Sequence, residues 1–174
     1  MKEAIFGGGC FWCLEAAFEV IDGVIDVESG YANGHKQNPS YKEVCTDTTG
    51  HAEVVKIKYD ENKISYKDLL ELFFKIHDPT TLNRQGADYG SQYRSIIITL
   101  DSEQERVAKE YIKNLQKEYD KKIVTKIEPL KCYYKAEEYH QDYFRKNPYQ
   151  PYCQAVAAPK VIKAKKWQES KKGE

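Results

Sequence analysis

Gly7-Gly8-Gly9-Cys10-Phe11-Trp12-Cys13-Leu14-Glu15 joins a short apolar strand, Ala4 to Phe6, to a broad apolar helical pattern from Phe11 to Ile21. Glycine supplies tight or positive-φ backbone at little steric cost, so three in a row mark a sharp strand-to-helix turn. Cys10 therefore stands at a helix start. The orphan N–H groups and the positive dipole end of a helix favour an anion there. A thiol so placed is expected to ionise below the ordinary cysteine value, and the thiolate is the nucleophile. The competing reading is a buried, inert cysteine, the common fate of an unpaired one. The glycines and the helix start favour reactivity.

Outward from this turn, the chain reads as alternating short strands and helices. Lys2 to Phe6 is the first strand, and Asp22-Gly23 stops the first helix. Val24 to Tyr31 and His51 to Tyr59 alternate apolar and polar residues, the period-two signal of strands. Between them, Ala32 to Lys42 is a loop with Asn33-Gly34 and Asn38-Pro39, followed by a short helical turn over Glu43 to Thr46. Ser65-Tyr66-Lys67-Asp68 resembles a capping box, opening a helix lined by Leu69, Leu70, Leu72, Phe73 and Ile76. Thr80 to Tyr93 is a long polar loop, a length often functional in compact domains. Arg94 to Leu100 is a strand. A charged helix capped by Asp101 or Ser102 runs to about Tyr119, and Val124 to Leu130 is a last strand. Glu137 to Phe144 reads as helical, and Arg145 to Tyr152 as a proline-bearing loop ending in Cys153. Val161, Ala164 and Trp167 share one face of a short helix, and the closing Lys171-Lys172-Gly173-Glu174 is expected to fray. The order β-α-β-β-α-β-α-β implies an α+β fold, a two-layer sandwich with a split-βαβ (ferredoxin-like) core and a loop-rich C-terminal extension. Residues 1–158 read as a single catalytic domain and 159–174 as a lysine-rich helix or tail.

Composition narrows the function classes. The 174 residues suffice for one domain with a sizeable core. Lys plus Arg equals Asp plus Glu at 27 each, which gives no electrostatic reason for a nucleic-acid or anionic-membrane partner. No apolar run approaches the length of a membrane span, and Met1-Lys2-Glu3 leads into the first strand without a signal-peptide core. The expected location is the cytoplasm. Five cysteines, an odd number, read as reactive or buried thiols in a reducing compartment rather than as a disulfide framework. Cys45 and Cys132 are assigned to structure. Fourteen tyrosines are core filler or a stock of neutral hydroxyl donors.

Two features carry chemistry besides Cys10. Glu53 shares the apolar face of its strand with Val55, Ile57 and Tyr59. Burying an unpaired charge is expensive, and desolvation raises a carboxyl pKa, so Glu53 is either a strand-end residue reaching water or a carboxyl held as an acid. Cys10 and Cys13 form C-x-x-C, which leaves two readings: a thioredoxin-like dithiol couple, or a lone nucleophile at Cys10 with Cys13 packed inward. The large aromatics Phe11 and Trp12 favour the second, since they wall off a small apolar group. The four histidines, at 35, 51, 77 and 140, lack metal-ligand spacing, so no metal is expected. No phosphate-cradling glycine motif is present, and no cofactor is expected.

The stretches GGGCFWCLE (7–15), NPSYKEVCTDTTGHAEVVKIKYD (38–60), DYGSQYRSIIIT (88–99) and EEYHQDYFRKNP (137–148) resemble the A-type peptide methionine sulfoxide reductases. The match spans most of residues 3–153. It implies reduction of the S epimer of methionine sulfoxide, free or in proteins. It implies Cys10 as the nucleophile, Phe11 and Trp12 as the aromatics holding the substrate methyl, Glu53, Tyr41 and Tyr93 as the groups that protonate or bind the sulfoxide oxygen, and Asp88 as a supporting residue. It further implies a sulfenic acid on Cys10, condensation with a second thiol, and reduction of the disulfide by thioredoxin or another thiol. For that second thiol Cys153 is preferred over Cys13. The C-terminus has one cysteine and lacks a glycine-rich tail with two. A thioredoxin-like disulfide oxidoreductase using Cys10 and Cys13, and a sulfoxide-binding module without turnover, are the alternatives.

Overall fold

β1 (Lys2–Gly7) runs through the middle of a six-stranded sheet whose order is β7-β6-β1-β3-β2-β8, in a computed structural model that describes residues 1–172. The other strands are β2 (Val24–Ala32), β3 (Ala52–Tyr59), β6 (Ile96–Thr99), β7 (Lys126–Pro129) and β8 (Tyr133–Lys135). All neighbours pair antiparallel except β6 and β7, which run parallel. In register, Tyr31 faces Glu53 across the β2–β3 pair, and Phe6 faces Val55 across β1–β3.

The period-two pattern sorts the strand side chains between two faces. Phe6, Tyr31, Val55, Ile57 and Ile97 join the main core with α1 (Phe11–Glu19), α3 (Tyr66–Lys75) and α6 (Ala158–Lys172). Ile5, Ala32, Val54, Ile96 and Ile98 form a smaller cluster on the opposite face, under Tyr133. Ser65 and Asp68 make the reciprocal capping box at the start of α3, and Ser40 and Glu43 make another before α2 (Tyr41–Cys45). Asp101 caps α4 (Ser102–Leu115) through the Gln104 N–H.

The expected C-terminal half is corrected in three places. The strand expected at 124–130 pairs only over β7, and β8, which the sequence did not signal, adds to the edge at β2. The helix expected over 137–144 is broken: a 3-10 turn spans Glu138–His140, Asp142 takes a left-handed φ of 56°, and α5 is the single turn Tyr143–Lys146. The loop expected to end in Cys153 becomes helical from residue 151, with a π-helical turn over Cys153–Ala157 running straight into α6. Val161, Ala164 and Trp167 are buried on α6 against α1, so the lysine-rich segment is helical through Lys172. Gly173 and Glu174 lie outside the described residues. The long 80–93 loop holds a two-residue hairpin, β4 (Arg84–Gln85) and β5 (Asp88–Tyr89), and a 3-10 turn over Ser91–Tyr93.

Candidate active site

The glycine run sets the site. A Cβ on Gly7 would stand 2.7 Å from the Glu53 carbonyl oxygen, so only glycine lets β1 lie this close to β3. Gly9 has a φ of 86°, turning the chain from strand to helix, and its N–H donates to the Tyr93 carbonyl at 3.1 Å. Cys10 is then the N-cap of α1, with no side-chain capping bond, and its thiol is 6% exposed. The Cys13 thiol and the Glu53 carboxyl both act on it electrostatically.

The expectation of an acidified Cys10 is overturned. Burial pushes its pKa well above the ordinary thiol value. The hydrogen bond to Cys13 and the charge of Glu53 push the same way, and the Trp12 backbone N–H opposes them. Desolvation outweighs the helix start, so the resting Cys10 holds its proton. Cys13 moves oppositely: the hydrogen bond with Cys10, the charge of Lys160 and the Tyr152 hydroxyl lower its pKa against burial.

Glu53 lies on the main-core face of β3, fully buried. Its Oε1 accepts the Phe11 N–H at 3.2 Å, and its Oε2 has no hydrogen-bond partner. Burial raises its pKa to about 8, with the Phe11 N–H opposing, so the group is a neutral acid at pH 7. Tyr41 and Tyr93 are half-buried, and both are raised by burial and then by the charge of Glu53. Their phenols therefore stay protonated and serve as donors. Tyr41 is anchored at the start of α2, where its N–H donates to Glu137 Oε2 at 2.8 Å; the Tyr31 hydroxyl donates to Glu137 Oε1 at 2.8 Å.

Phe11 is buried, and its ring centroid lies 6.3 Å from Tyr41 and 5.1 Å from His140. Trp12 is only partly buried and is held from three sides. Its indole N–H donates to His140 Nδ1 at 3.0 Å, Tyr143 stacks on it at 3.7 Å and 6°, and Tyr152 meets it edge-on. Burial lowers the His140 pKa, which keeps its ring neutral and able to accept. Asp88 receives the Tyr152 hydroxyl at 2.6 Å, and Tyr152 in turn lies 3.8 Å from the Cys13 sulfur. A cavity beside Cys10 opens between residues 74–80, Gly86 to Asp88, Tyr152 and Lys160.

Cys10, Glu53, Tyr41, Tyr93, Phe11 and Trp12 are thus neighbours, with Asp88 one hydroxyl away. Cys153 is buried, and the charge of Cys13 acts on it. Cys45 is exposed, contrary to its assignment to structure, and Cys132 is half-buried. Sequence reasoning missed Glu137, His140, Tyr143 and Tyr152. They act on residues more than sixty positions away, and no periodicity links such partners.

A family model described as Peptide methionine sulfoxide reductase matches residues 2–172. The chain is 61% identical over 163 residues to the peptide methionine sulfoxide reductase MsrA of Nautilia profundicola, covering 94% of each. It is also similar to the crystal structure of Mxr1 from Saccharomyces cerevisiae in reduced form, with a TM-score of 0.77 and 40% identity over 86% of this chain and 87% of that one. The crystal structure of Mxr1 in complex with Trx2 matches with a TM-score of 0.54 and 28% identity, over 82% of this chain and 84% of that one. A thiol buried against a neutral carboxyl, two phenols and an aromatic wall thus sits in a chain that belongs to the peptide methionine sulfoxide reductase family.

Proposed function

We propose that the protein reduces the S epimer of methionine sulfoxide, free and within proteins, to methionine, with Cys10 as nucleophile. The observation that carries this reading is Glu53, a fully buried carboxyl raised to about 8 that accepts the N–H of Phe11, the residue next to Cys10. Attack on a sulfoxide sulfur drives charge onto its oxygen, which must be protonated or strongly hydrogen-bonded. Glu53 as an acid, with the Tyr41 and Tyr93 hydroxyls as donors, supplies that need. Phe11 and Trp12 hold the substrate methyl, and Asp88 supports the wall by fixing Tyr152.

The step balances as one thiol plus one sulfoxide giving one sulfenic acid plus one thioether. The Cys10 sulfur forms a bond to the substrate sulfur while Glu53 delivers a proton to the oxygen. The substrate S–O bond and the new sulfur–sulfur bond then break, the hydroxyl ends on Cys10 as S–OH, and methionine leaves with the electron pair of the sulfur–sulfur bond. The thiol proton given up by Cys10 restores Glu53. Cys10 is oxidised and the substrate sulfur reduced, with no cofactor.

For the return to thiol we propose that Cys153 condenses with the sulfenic acid, releasing water, and that a thioredoxin or another thiol reduces the disulfide. The likeness to Mxr1, whose complex with Trx2 is known, supports the reductant. Cys13 is the rival resolver, favoured by its place one turn from Cys10 and its lowered pKa.

We read the core as split-βαβ and ferredoxin-like. The order β6-β1-β3-β2, with α1 and α3 as the two connecting helices, supports this. Residues 1–158 form the catalytic unit in this reading, and 159–174 a lysine-rich segment whose described part, through Lys172, is the helix that buttresses it. We place the protein in the cytoplasm. No described helix is long and apolar enough to cross a membrane, and the five cysteines are unpaired. The test is dithiothreitol-driven turnover of the separated S and R epimers of methionine sulfoxide. Turnover of S alone is expected. Insulin reduction without sulfoxide turnover would instead mark a disulfide oxidoreductase, and binding without turnover a recognition module.

A further inference from the structure

Behind the aromatic wall, on the far side of α1 from the thiols, three carboxylates converge. Glu15 and Glu19 stand one turn apart on α1, so they share a face. Asp142, the left-handed residue before α5, brings a third. One carboxylate oxygen from each lies within 4.8 Å of the other two. Three features make this arrangement costly as it stands. Glu15 is 1% exposed, and its Oε2 has no hydrogen-bond partner. The Ser29 hydroxyl beside it, fully buried, also lacks one. Glu19 closes α1, where the helix dipole disfavours negative charge, and the last turn carries no basic residue. Two cations stand near, both on exposed side chains: Arg145, which reaches Glu19 at 3.5 Å, and Lys146, which acts with it on Asp142. Two loosely held positive charges face three carboxylates.

We propose that Glu15, Glu19 and Asp142 form a binding site for a divalent cation of calcium size. The donor set is all hard oxygen, with no imidazole or thiolate, which suits Ca²⁺ or Mn²⁺ rather than zinc or copper. Two oxygens bound to one Ca²⁺ at about 2.4 Å stand at most about 4.8 Å apart, so the cluster spans no more than such an ion allows. Mg²⁺ demands near-ideal octahedral geometry and gives up its waters reluctantly, so a cluster of three protein carboxylates suits it less. Glu15 Oε2, buried and unpartnered, supplies the inner ligand. Glu19 and Asp142, half-buried, supply the outer ones and leave room for water to complete the shell. The ion would tie α1 to Asp142, whose neighbour Tyr143 stacks on Trp12.

The test is calorimetric titration of the reduced protein with CaCl₂ and, separately, MgCl₂, with thermal unfolding in parallel. One Ca²⁺ per chain is expected, with a Kd on the order of 10⁻⁵–10⁻³ M. Ca²⁺ should also raise the melting temperature, and Mg²⁺ should bind more weakly. Glu19→Gln and Asp142→Asn, both at half-buried positions, should weaken Ca²⁺ binding at least about tenfold each while their circular dichroism matches the parent. Absence of heat and of any melting shift up to about 10 mM Ca²⁺ would overturn the site. So would unchanged Ca²⁺ affinity in both folded variants, and equal affinity for Mg²⁺ would overturn its calcium size.

Discussion

Burial acts on Cys10 and Glu53 in the same direction. It keeps the thiol protonated and it keeps the carboxyl protonated, so the resting site is neutral. In the proposed reaction, charge develops only when substrate is present to receive the proton of Glu53. Cys10→Ser should therefore abolish methionine release in a single turnover, whereas Cys45→Ser and Cys132→Ser should retain it. Methionine release from Cys10→Ser at the parent rate would remove Cys10 from the chemistry. Glu53→Gln keeps a donor but loses the proton, and should slow the chemical step by roughly 10² to 10⁴. The parent single-turnover rate should fall as pH rises through about 8, where Glu53 ionises. Stability gives an independent readout of the same group. A carboxyl whose folded pKa lies above its unfolded one adds stability below the unfolded value and loses it as pH rises toward the folded one. Glu53→Gln should thus be more stable than the parent at pH 8, by on the order of 2–4 kcal/mol, with the gain vanishing near pH 4. A gain that does not change with pH would mean Glu53 is already ionised in the native state. Comparing parent and variant cancels Glu15 and Glu19, which titrate in the same window.

Elements with strong local signals were legible in the sequence, and elements made by distant contacts were not. The glycine turn, the capped helices and the alternating β2 and β3 follow from residue types within a few positions. Glu53 was conspicuous for the same reason, as a charge on an apolar face. The ionisation of Cys10 was misread because a helix start is visible in sequence, whereas the depth of burial above it depends on segments far along the chain. The 133–157 segment escaped because it is shaped by what it touches. Asp142 interrupts the expected helix where His140 and Tyr143 must both reach Trp12. The α6 face, by contrast, was readable, and it carries a measurable share of stability. Trp167 is 7% exposed in the main core, and its indole N–H has no partner. Trp167→Ala should cost about 3–5 kcal/mol, lowering the melting temperature by roughly 6–20 °C. Trp167→Phe should cost clearly less, because it also removes an unsatisfied donor. Equal losses in the two variants, measured by thermal unfolding, would show that the indole N–H is bonded.

At the scale of the whole molecule, the last third of the chain folds back over the first. β8 pairs with β2, His140, Tyr143 and Tyr152 hold Trp12, and α6 lies along α1. The same piece of chain that walls the site therefore carries Cys153, and freeing that thiol also loosens Tyr152 from Asp88 and Cys13. Cys153 lies in the π-helical turn, a geometry rarer than the α-helix and found mostly as single turns, often at functional sites. Local opening of such a turn is a sub-global event that leaves the sheet and α1 intact. Closing a Cys10–Cys13 disulfide instead would distort the first turn of α1, where the Phe11 N–H holds Glu53 and Trp12 stacks on Tyr143. Reduced protein treated with one equivalent of methionine sulfoxide, alkylated and digested without reductant should yield a Cys10–Cys153 link. Cys153→Ser should lose that link together with thioredoxin-driven turnover, while turnover with dithiothreitol persists. Hydrogen exchange on the oxidised protein should show residues 147–157 deprotected and the strands unchanged. A Cys10–Cys13 link, with residues 147–157 as protected as before, would assign resolution to Cys13. A lasting sulfenic acid would mean that an external thiol acts on Cys10 directly.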